Sequence, residues 1–440
     1  MGLATFKGGI HMYDGKDLSK DKPTTILVPK GDLVYPMSQH IGAPAKPIVS
    51  VGDRVLVGQK IAEAGGFISA CVISSVSGTV KAIEKRLIAS GEKVDSIVVE
   101  NDGAYETVPG FGEICDPKNL SKEEIRNKIK EAGIVGMGGA GFPNHVKVTP
   151  KDDSKIEYVI VNAAECEPYL TSDYRLLLEE TERLIGGLRI LLSLFENAKA
   201  IIGIEDNKPE AIEKVKSIIG SDSRMEVKVL KTKYPQGAEK QLIFATTGRC
   251  VNSKMLPSDV GCVVDNVATL IAIYSAVAEN TPCIQKVVTI TGDAVKDPRN
   301  FNVRIGTNHA EILEAAGGLT CKPEKIISGG PMMGMALYTT DIPVTKTSSG
   351  LVCMSKDDVA AFDTTACIRC GRCVDVCACR LVPQKMYQAA VVQKDLDAFV
   401  ALNGMECYEC GSCAYVCPAK IRLTQAFKVA RKSVMDNRRK

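Results

Sequence analysis

Apolar and polar residues alternate along this chain in two different periods, and the changes of period divide it. Between 51 and 83, short apolar stretches are broken by glycine (Val51-Gly-Asp-Arg-Val-Leu-Val-Gly-Gln-Lys-Ile, then Ser77-Gly-Thr-Val-Lys-Ala-Ile), which predicts short strands joined by tight turns. Residues 121–132 carry helical spacing, and 156–162 form an apolar run that ends in Asn162, as a buried strand would. From 286 to 337 the pattern predicts a strand through Thr291, a turn at Gly292-Asp293, a strand at 303–305, a helix at 310–316 and a strand at 325–328. In 381–403 apolar residues recur near Met386, Ala389, Val392, Leu396 and Phe399 behind Pro383, which predicts a single helix opened by the proline.

Composition sets the scale. A chain of 440 residues, 45% hydrophobic and 24% charged, can bury more than one core, so three or four domains are expected. Lys+Arg at 55 against Asp+Glu at 52 leaves a formal charge of +3, too balanced for the basic footprint that phosphate backbones require, and nucleic acid is excluded as a partner. The most apolar stretches, 189–204 and 260–278, are interrupted by Glu196 and Lys199 or by Asp265, short of a clean span of about 20 residues. No apolar run follows a basic region in residues 1–16, so a cytoplasmic location without a transmembrane segment is expected. Seventeen cysteines in that compartment point to metal chemistry rather than to disulfides.

The cysteine spacing names the metal. Cys367, Cys370, Cys373 and Cys377 form one C-x2-C-x2-C-x3-C run, and Cys407, Cys410, Cys413 and Cys417, followed by Pro418, form another. This is the ligand spacing of two 4Fe-4S clusters, in which the fourth cysteine of each run serves the other cluster. That rule groups Cys367, Cys370, Cys373 and Cys417, and separately Cys407, Cys410, Cys413 and Cys377. Zinc sites pair two C-x2-C knuckles and leave the third cysteine of each run unexplained. The first run continues Cys377-Ala378-Cys379 where a proline would follow, so Cys379 competes with Cys377, which keeps the three-residue gap. Cysteines outside this region, Cys166 among them, are expected to be small buried hydrophobes.

Upstream lies Gly136-Met-Gly138-Gly139-Ala-Gly141-Phe-Pro143, with Lys147 four residues beyond the proline. It contains G-x-G-x-x-G, but it follows a helix and runs into a proline, whereas a Rossmann loop follows a strand and opens a helix. Its residues read either as a flexible turn or as a nest of backbone N–H groups for phosphate, with Lys147 adding positive charge. Then Asn162-Ala-Ala-Glu165-Cys-Glu167-Pro168 ends the predicted strand with an amide and two carboxylates, groups suited to a flavin edge, a ribose or a nicotinamide amide.

Together these segments resemble the FMN and NADH site of the complex I flavoprotein subunit. The opening Thr5-Phe-Lys-Gly-Gly-Ile-His11, the order of domains and the two cysteine runs are more similar still to the RnfC family, from the Rnf complex, the ion-translocating ferredoxin:NAD oxidoreductase. The resemblance implies multidomain α/β and β architecture: a barrel-sandwich domain over 1–115, an FMN/NADH-binding domain over 116–284, a β-grasp ligand-binding-like module over 285–340 and an α-helical ferredoxin-like domain over 341–440. It further implies that Gly136, Gly138, Gly139, Gly141 and Lys147 hold the FMN phosphate and ribityl chain, that Asn162 and Glu165 line the flavin, and that Tyr234 touches it. Asp265, Asn266 and Thr269 would lie near FMN, and Glu167 and Glu239 would seat NAD(H). The complex I flavoproteins have an acidic residue where Ala164 stands and asparagine where Asp265 stands.

The implied function is electron transfer between NAD(H), FMN, two 4Fe-4S clusters and the other subunits of a membrane complex, especially an iron–sulfur subunit that exchanges electrons with ferredoxin. The chain would lie peripherally on the cytoplasmic face. A flavin suits this position because nicotinamide exchanges two electrons as hydride while a cluster accepts one. No protein acid or base is expected to be indispensable, and His11, His40, His145 and His309 are expected to be structural or surface residues. The 51–83 region resembles lipoyl and biotinyl carriers, yet it lacks a lysine between Lys60 and Lys81, so docking or support is expected of it. The basic end, Arg431, Lys432, Arg438, Arg439 and Lys440, reads as a solvated helix end. Two other readings share parts of the pattern. A cobalamin reductase has the flavin loop and paired clusters but not the barrel-sandwich domain ahead of them, and a ferredoxin-like adaptor would fail to bind FMN.

Overall fold

The computed structural model describes residues 2–359 and 361–439. Lys440 and the Arg439 side chain, at the basic end, lie outside the described residues. Among the described residues no helix is long and apolar enough to cross a membrane.

The first unit is a barrel-sandwich of two antiparallel sheets. One has the order Leu33–Pro36, Lys93–Asn101, Gly78–Leu87, Arg54–Val55, and the other Lys46–Pro47, Lys60–Glu63, Val72–Ile73. Leu33, Tyr35, Val55, Ile61, Val80 and Ile97 fill the space between them. The barrel therefore begins at Leu33, and the residues before it form an arm that serves other units. Ala4 bridges Leu230, Ile10 bridges Tyr234, and Thr25–Leu27 pairs in parallel with Arg299–Arg304.

The second unit is a parallel sheet with the order Met225–Leu230, Lys199–Glu205, Tyr158–Ala163, Cys262–Asn266. The helix expected at 121–132 is Lys122–Glu131, and it starts where it does because the Ser121 hydroxyl accepts from Glu124 N–H while Glu124 accepts from Ser121 N–H. Two apolar helices, Thr181–Leu194 and Val267–Ala278, cross at Gly186 and Gly187. A Cβ on Gly187 would stand 2.0 Å from the Leu270 carbonyl oxygen, so only hydrogen at this position allows the two helices to approach so closely.

The third unit is a six-stranded sheet with the order Thr25–Leu27, Arg299–Arg304, Gln285–Thr291, Gly350–Met354, Lys325–Ser328, Met335–Leu337. Gly350–Met354 pairs with both Gln285–Thr291 and Lys325–Ser328, so this unit continues to Met354, past the boundary expected at 340. The strand expected at 303–305 starts earlier, at Arg299. Its polar Asn300 is buried because Oδ1 accepts from the Thr289 hydroxyl and Nδ2 donates to Thr171, and that internal pairing hid the alternation from the hydrophobic pattern.

The last unit is helical and packs Leu381, Met386, Phe399, Phe427 and Val434 together. The single helix expected over 381–403 is broken. Pro383–Tyr387 runs into a π-helical turn at Gln388–Val392, Lys394 adopts φ 56°, and Asp395 caps a new helix, Leu396–Ala401, by accepting from Ala398 N–H at 2.8 Å. An aspartate that can satisfy the first amides of a helix competes with continuation of the preceding one.

Replacing Gly187 by valine forces the two apolar helices apart. It is expected to destabilise the parallel-sheet unit by about 1–3 kcal/mol, read as a lower midpoint in thermal or urea unfolding, and an unchanged midpoint would show that the crossing tolerates the branched side chain.

Candidate functional site

In chain order the parallel sheet runs 3-2-1-4, so the first strand, Tyr158–Ala163, and the last, Cys262–Asn266, are neighbours from which the connections leave in opposite directions. Such a switch point opens a crevice at the carboxyl ends of the strands. Asn162 and Asn266 are paired across it in register. The glycine loop lies over the crevice: Gly138 and Gly139 are exposed, and Gly136 N–H closes the loop on the Phe142 carbonyl at 2.9 Å. A Cβ on Gly138 would come within 2.6 Å of Asn266 Cγ, and Gly141 has φ 69°. Lys147 ends the short helix Asn144–Lys147 and donates to the Val264 carbonyl at 2.7 Å and to Asp265 Oδ1 at 3.3 Å. Burial works against its charge, but the Asp265 and Glu239 carboxylates outweigh that and hold the ammonium above its ordinary pKa.

The other walls follow from the same strand ends. Asn162 Nδ2 donates to the Gly237 carbonyl at 2.8 Å, and Asn266 Nδ2 donates to Asp173 Oδ2 at 2.6 Å while its Oδ1 caps the following helix. The Thr269 hydroxyl accepts from Met137 N–H at 2.9 Å. Glu239 opens the helix Glu239–Thr247; solvent reaches it, yet protein on its remaining sides desolvates the carboxyl and pushes its pKa up, with Lys147 opposing. The crevice thus gathers Gly136, Gly138, Gly139, Gly141, Lys147, Asn162, Glu239, Asp265, Asn266 and Thr269.

Three expected residues face elsewhere. Glu165, at φ 48°, accepts from Asp173 N–H at 2.7 Å and lies 3.5 Å from Lys16 Nζ, so its carboxyl anchors the helix Ser172–Glu179 rather than lining the crevice. Burial pushes it up to about 7, against the pull of Lys16. Glu167 Oε1 accepts from Met332 N–H at 2.7 Å and Met333 N–H at 3.1 Å, which ties this loop to the third unit instead of leaving it for a nucleotide. Tyr234 is 2% exposed, and its hydroxyl donates to the Cys410 carbonyl at 2.7 Å. Residue type and resemblance point these side chains to the crevice, but a neighbouring helix, the N-terminal arm and other units claim their polar groups. Residues that sequence reasoning did not single out, Lys16, Asp173, Lys208 and Lys286, lie behind the crevice, the lysines buried and Asp173 half-buried. Single lysines in an arm, a loop or a strand form no motif, so nothing in their spacing marks them.

The cysteines form two sets with different surroundings. Cys377, Cys379, Cys407, Cys410 and Cys413 line one enclosed cavity, while Cys367 and Cys370 are exposed. Burial raises the Cys413 thiol, and Cys377 lines the same cavity as Cys407, Cys410 and Cys413, so it lies spatially with the second run. Burial likewise raises Cys373, with Cys370 and Cys417 adding to it. The Cys379 thiol faces Cys377 and lowers its pKa, and the Leu381 N–H, 3.3 Å from Cys377 Sγ, works in the same direction.

These donor sets fit the expected groups. Five cysteines around one apolar-backed cavity suit an iron–sulfur cluster. An exposed glycine backbone beside Lys147 suits a phosphate, and the buried Asp265 Oδ2, with no partner among the described residues, is an acceptor for a hydroxyl-rich chain. Fold and donor sets define a flavin-domain iron–sulfur protein. Family models match in the same order: RnfC barrel sandwich hybrid domain over 4–104, Nuo51 FMN-binding domain over 129–275, SLBB domain over 287–336 and 4Fe-4S dicluster domain over 366–421. The chain is 46% identical over 394 residues to the RnfC subunit of the proton-translocating ferredoxin:NAD(+) oxidoreductase complex of Clostridium ljungdahlii, covering 90% of this chain and 86% of that one. It is 44% identical over 437 residues to the RnfC subunit of the Na(+)-translocating ferredoxin:NAD(+) oxidoreductase complex of Acetobacterium woodii, covering 99% and 98%. The chain belongs to this family, the RnfC subunits of the ion-translocating ferredoxin:NAD(+) oxidoreductase complexes. The fold is also similar to that of an NAD+-reducing nickel–iron hydrogenase chain in the H2-reduced state, with TM-score 0.51 and 18% identity over 72% of this chain and 62% of that chain.

Two measurements check the site. Because the folded pKa of Glu165, about 7, exceeds its ordinary 4.5, the stability it contributes is complete below about pH 4.5 and is lost as pH rises through about 7. Glu165→Gln keeps an acceptor oxygen without titrating, so the Tm of wild type relative to the variant is expected to fall across that window; a constant difference rejects the assignment. Cys377→Ser is expected to lose roughly half of the reconstituted iron and Cys379→Ser to keep it. The reverse result would make Cys379 the ligand.

Proposed function

We propose that hydride exchange with NAD(H) takes place at an FMN seated in the crevice of the parallel sheet, and that electrons pass between this site and the buried cysteine set. The chain is an electron-transfer subunit of an Rnf complex and carries FMN and two 4Fe-4S clusters. One observation carries the reading: the glycine loop and Lys147 converge on the switch point of the sheet, on the same unit whose Tyr234 is bonded to the Cys410 loop.

In this reading Gly138, Gly139 and Gly141 present backbone N–H groups to the phosphate, Gly136 closes the loop on Phe142 behind them, and Lys147 supplies positive charge held in place by Val264 and Asp265. Asn162, Asn266 and Thr269 orient the ring and ribityl chain. Glu239, at the solvent side, hydrogen-bonds the ribose of the nicotinamide nucleotide. When bound, FMN supplies the exchange between two-electron hydride chemistry and single electrons. The protein orients donor and acceptor and excludes water, and it needs no acid or base of its own for the transfer.

The exposed Cys367 and Cys370 support an outward exchange with another subunit. We assign that partner as an iron–sulfur subunit that exchanges electrons with ferredoxin, with this chain bound peripherally at the cytoplasmic face of the membrane complex. Integral membrane subunits, rather than a corrinoid protein, should co-purify with it.

Flavin titration of the apoprotein separates the roles. Gly138→Val and Lys147→Met are each expected to weaken FMN binding by roughly ten-fold or more, since one fills the cradle and the other removes a charge-assisted contact. Glu239→Gln is expected to leave FMN binding unchanged and to raise the Kd for NADH several-fold, about the value of one hydrogen bond. Equal loss of FMN and NADH in the last variant would remove Glu239 from the nucleotide site.

A further inference from the structure

The backbone of Met137, inside the glycine loop, is held on both sides of its Cα by side chains. Its N–H donates to Thr269 and its carbonyl accepts from Lys286 Nζ. Lys286 does not belong to the flavin unit. It lies on Gln285–Thr291, an inner strand of the third unit, and is 5% exposed. The nearby carboxylate that acts on its charge is Asp173, which is half-buried and accepts from Asn266 Nδ2 at 2.6 Å. Asn266 in turn stands against Gly138. Lys286 and Asp173 thus approach the loop from behind by separate routes, one through the Met137 carbonyl and the other through Asn266, and the cation is contributed from outside the flavin unit. Burial pulls the Lys286 ammonium down to about 8, and Asp173 works against that shift.

An ammonium buried in this way needs oxygen partners, and the one it finds here is a carbonyl of the loop itself. A lysine needed only to join two units could use any carbonyl at the boundary. This one restrains the peptide between Gly136 and Gly138, where small rotations redirect the N–H groups of the cradle.

We infer that Lys286 is a positioning residue for the flavin: through the Met137 carbonyl it fixes the glycine loop from the third unit, and its ammonium places a positive charge behind that loop. The inference rests on the FMN site proposed above. It predicts that the third unit is part of the flavin site and not only a spacer between flavin and clusters. A fixed positive charge favours the electron-rich form of a nearby cofactor, so its removal disfavours reduction.

The test uses the full chain, titrated with FMN and followed by flavin fluorescence and by a spectroscopic redox titration of the bound flavin. Lys286→Met is expected to weaken FMN binding roughly ten-fold, the worth of a hydrogen bond from a charged donor, and to lower the flavin midpoint potential; Lys286→Arg should recover part of both. Because Lys286→Met removes one of the positive charges near the Asp173 carboxylate, the double variant Lys286→Met with Asp173→Asn removes both charges. It is expected to fold with wild-type Tm while still binding FMN weakly. Wild-type FMN affinity in either folded variant, or a wild-type flavin potential in folded Lys286→Met, would overturn the inference. If Gly138→Val and Lys147→Met also bind FMN normally, the proposed FMN site itself fails; if those two lose FMN and the Lys286 variants do not, only the role of Lys286 falls.

Discussion

An ammonium group removed from water costs several kcal/mol unless oxygens replace its hydration shell, and this protein is assembled around that requirement. Lys346 is buried in the segment between two strands of the third unit, and it donates to the Cys71 carbonyl of the barrel at 2.6 Å and the Gly133 carbonyl of the flavin unit at 2.7 Å. Lys16, in the N-terminal arm, donates to the Glu167 and Leu170 carbonyls. Lys208 holds the Ala164 carbonyl at 2.7 Å, and Lys286 holds that of Met137. Of these four lysines, all but Lys208 reach across from one unit to another. Separating the units would strand a charge in an apolar boundary as well as expose surface. The flavin crevice inherits its rigidity from them, since Lys16 and Lys208 hold one of its loops and Lys286 the other.

The same requirement explains which parts of the site were legible in the sequence. The cysteine runs and the glycine loop are local: their function depends on spacing along the chain, and spacing is visible there. The order of units was legible for the same reason. The arm was not, because its residues pair with strands far along the chain, at Leu230, Tyr234 and Arg299–Arg304. Nor was the strand Gly350–Met354, which is assigned to its sheet only by partners on both sides. Glu165, Glu167 and Tyr234 show the converse limit. Their types suit a nucleotide site, but a carboxylate or hydroxyl bonds equally well to a backbone group, and only the fold decides which one it meets.

The opening segment links the two kinds of information. Gly8 and Gly9 adopt φ 88° and 78°, a Cβ on Gly8 would stand 2.9 Å from the Cys377 carbonyl oxygen, and Gly9 N–H donates to Val376. Lys233 reaches the Gly8 carbonyl at 3.0 Å, and Ile10 and Tyr234 exchange backbone hydrogen bonds. The segment is thus wedged between the flavin unit and the end of the first cysteine run. The glycine pair of this opening motif is explained by the close approach that the wedge requires.

This wedge also bears on how the cysteine unit meets the flavin unit. Tyr234 bonds the Cys410 carbonyl, Gln241 bonds the Ala378 carbonyl at 3.0 Å, and Lys240 pairs with Glu406 at 3.4 Å, so the contacts reach the second run and the end of the first. Cys367 and Cys370 remain exposed on the far part of the first run. The internal repeat therefore places its two cysteine runs in unlike surroundings: the second packs against the flavin unit, and the first opens to solvent at Cys367 and Cys370. Solvent exposure and hydrogen bonding to sulfur are among the factors that set a cluster's potential. Here the duplicated spacing accounts for the ligands, and the asymmetric packing of one copy against the flavin unit accounts for any difference between them.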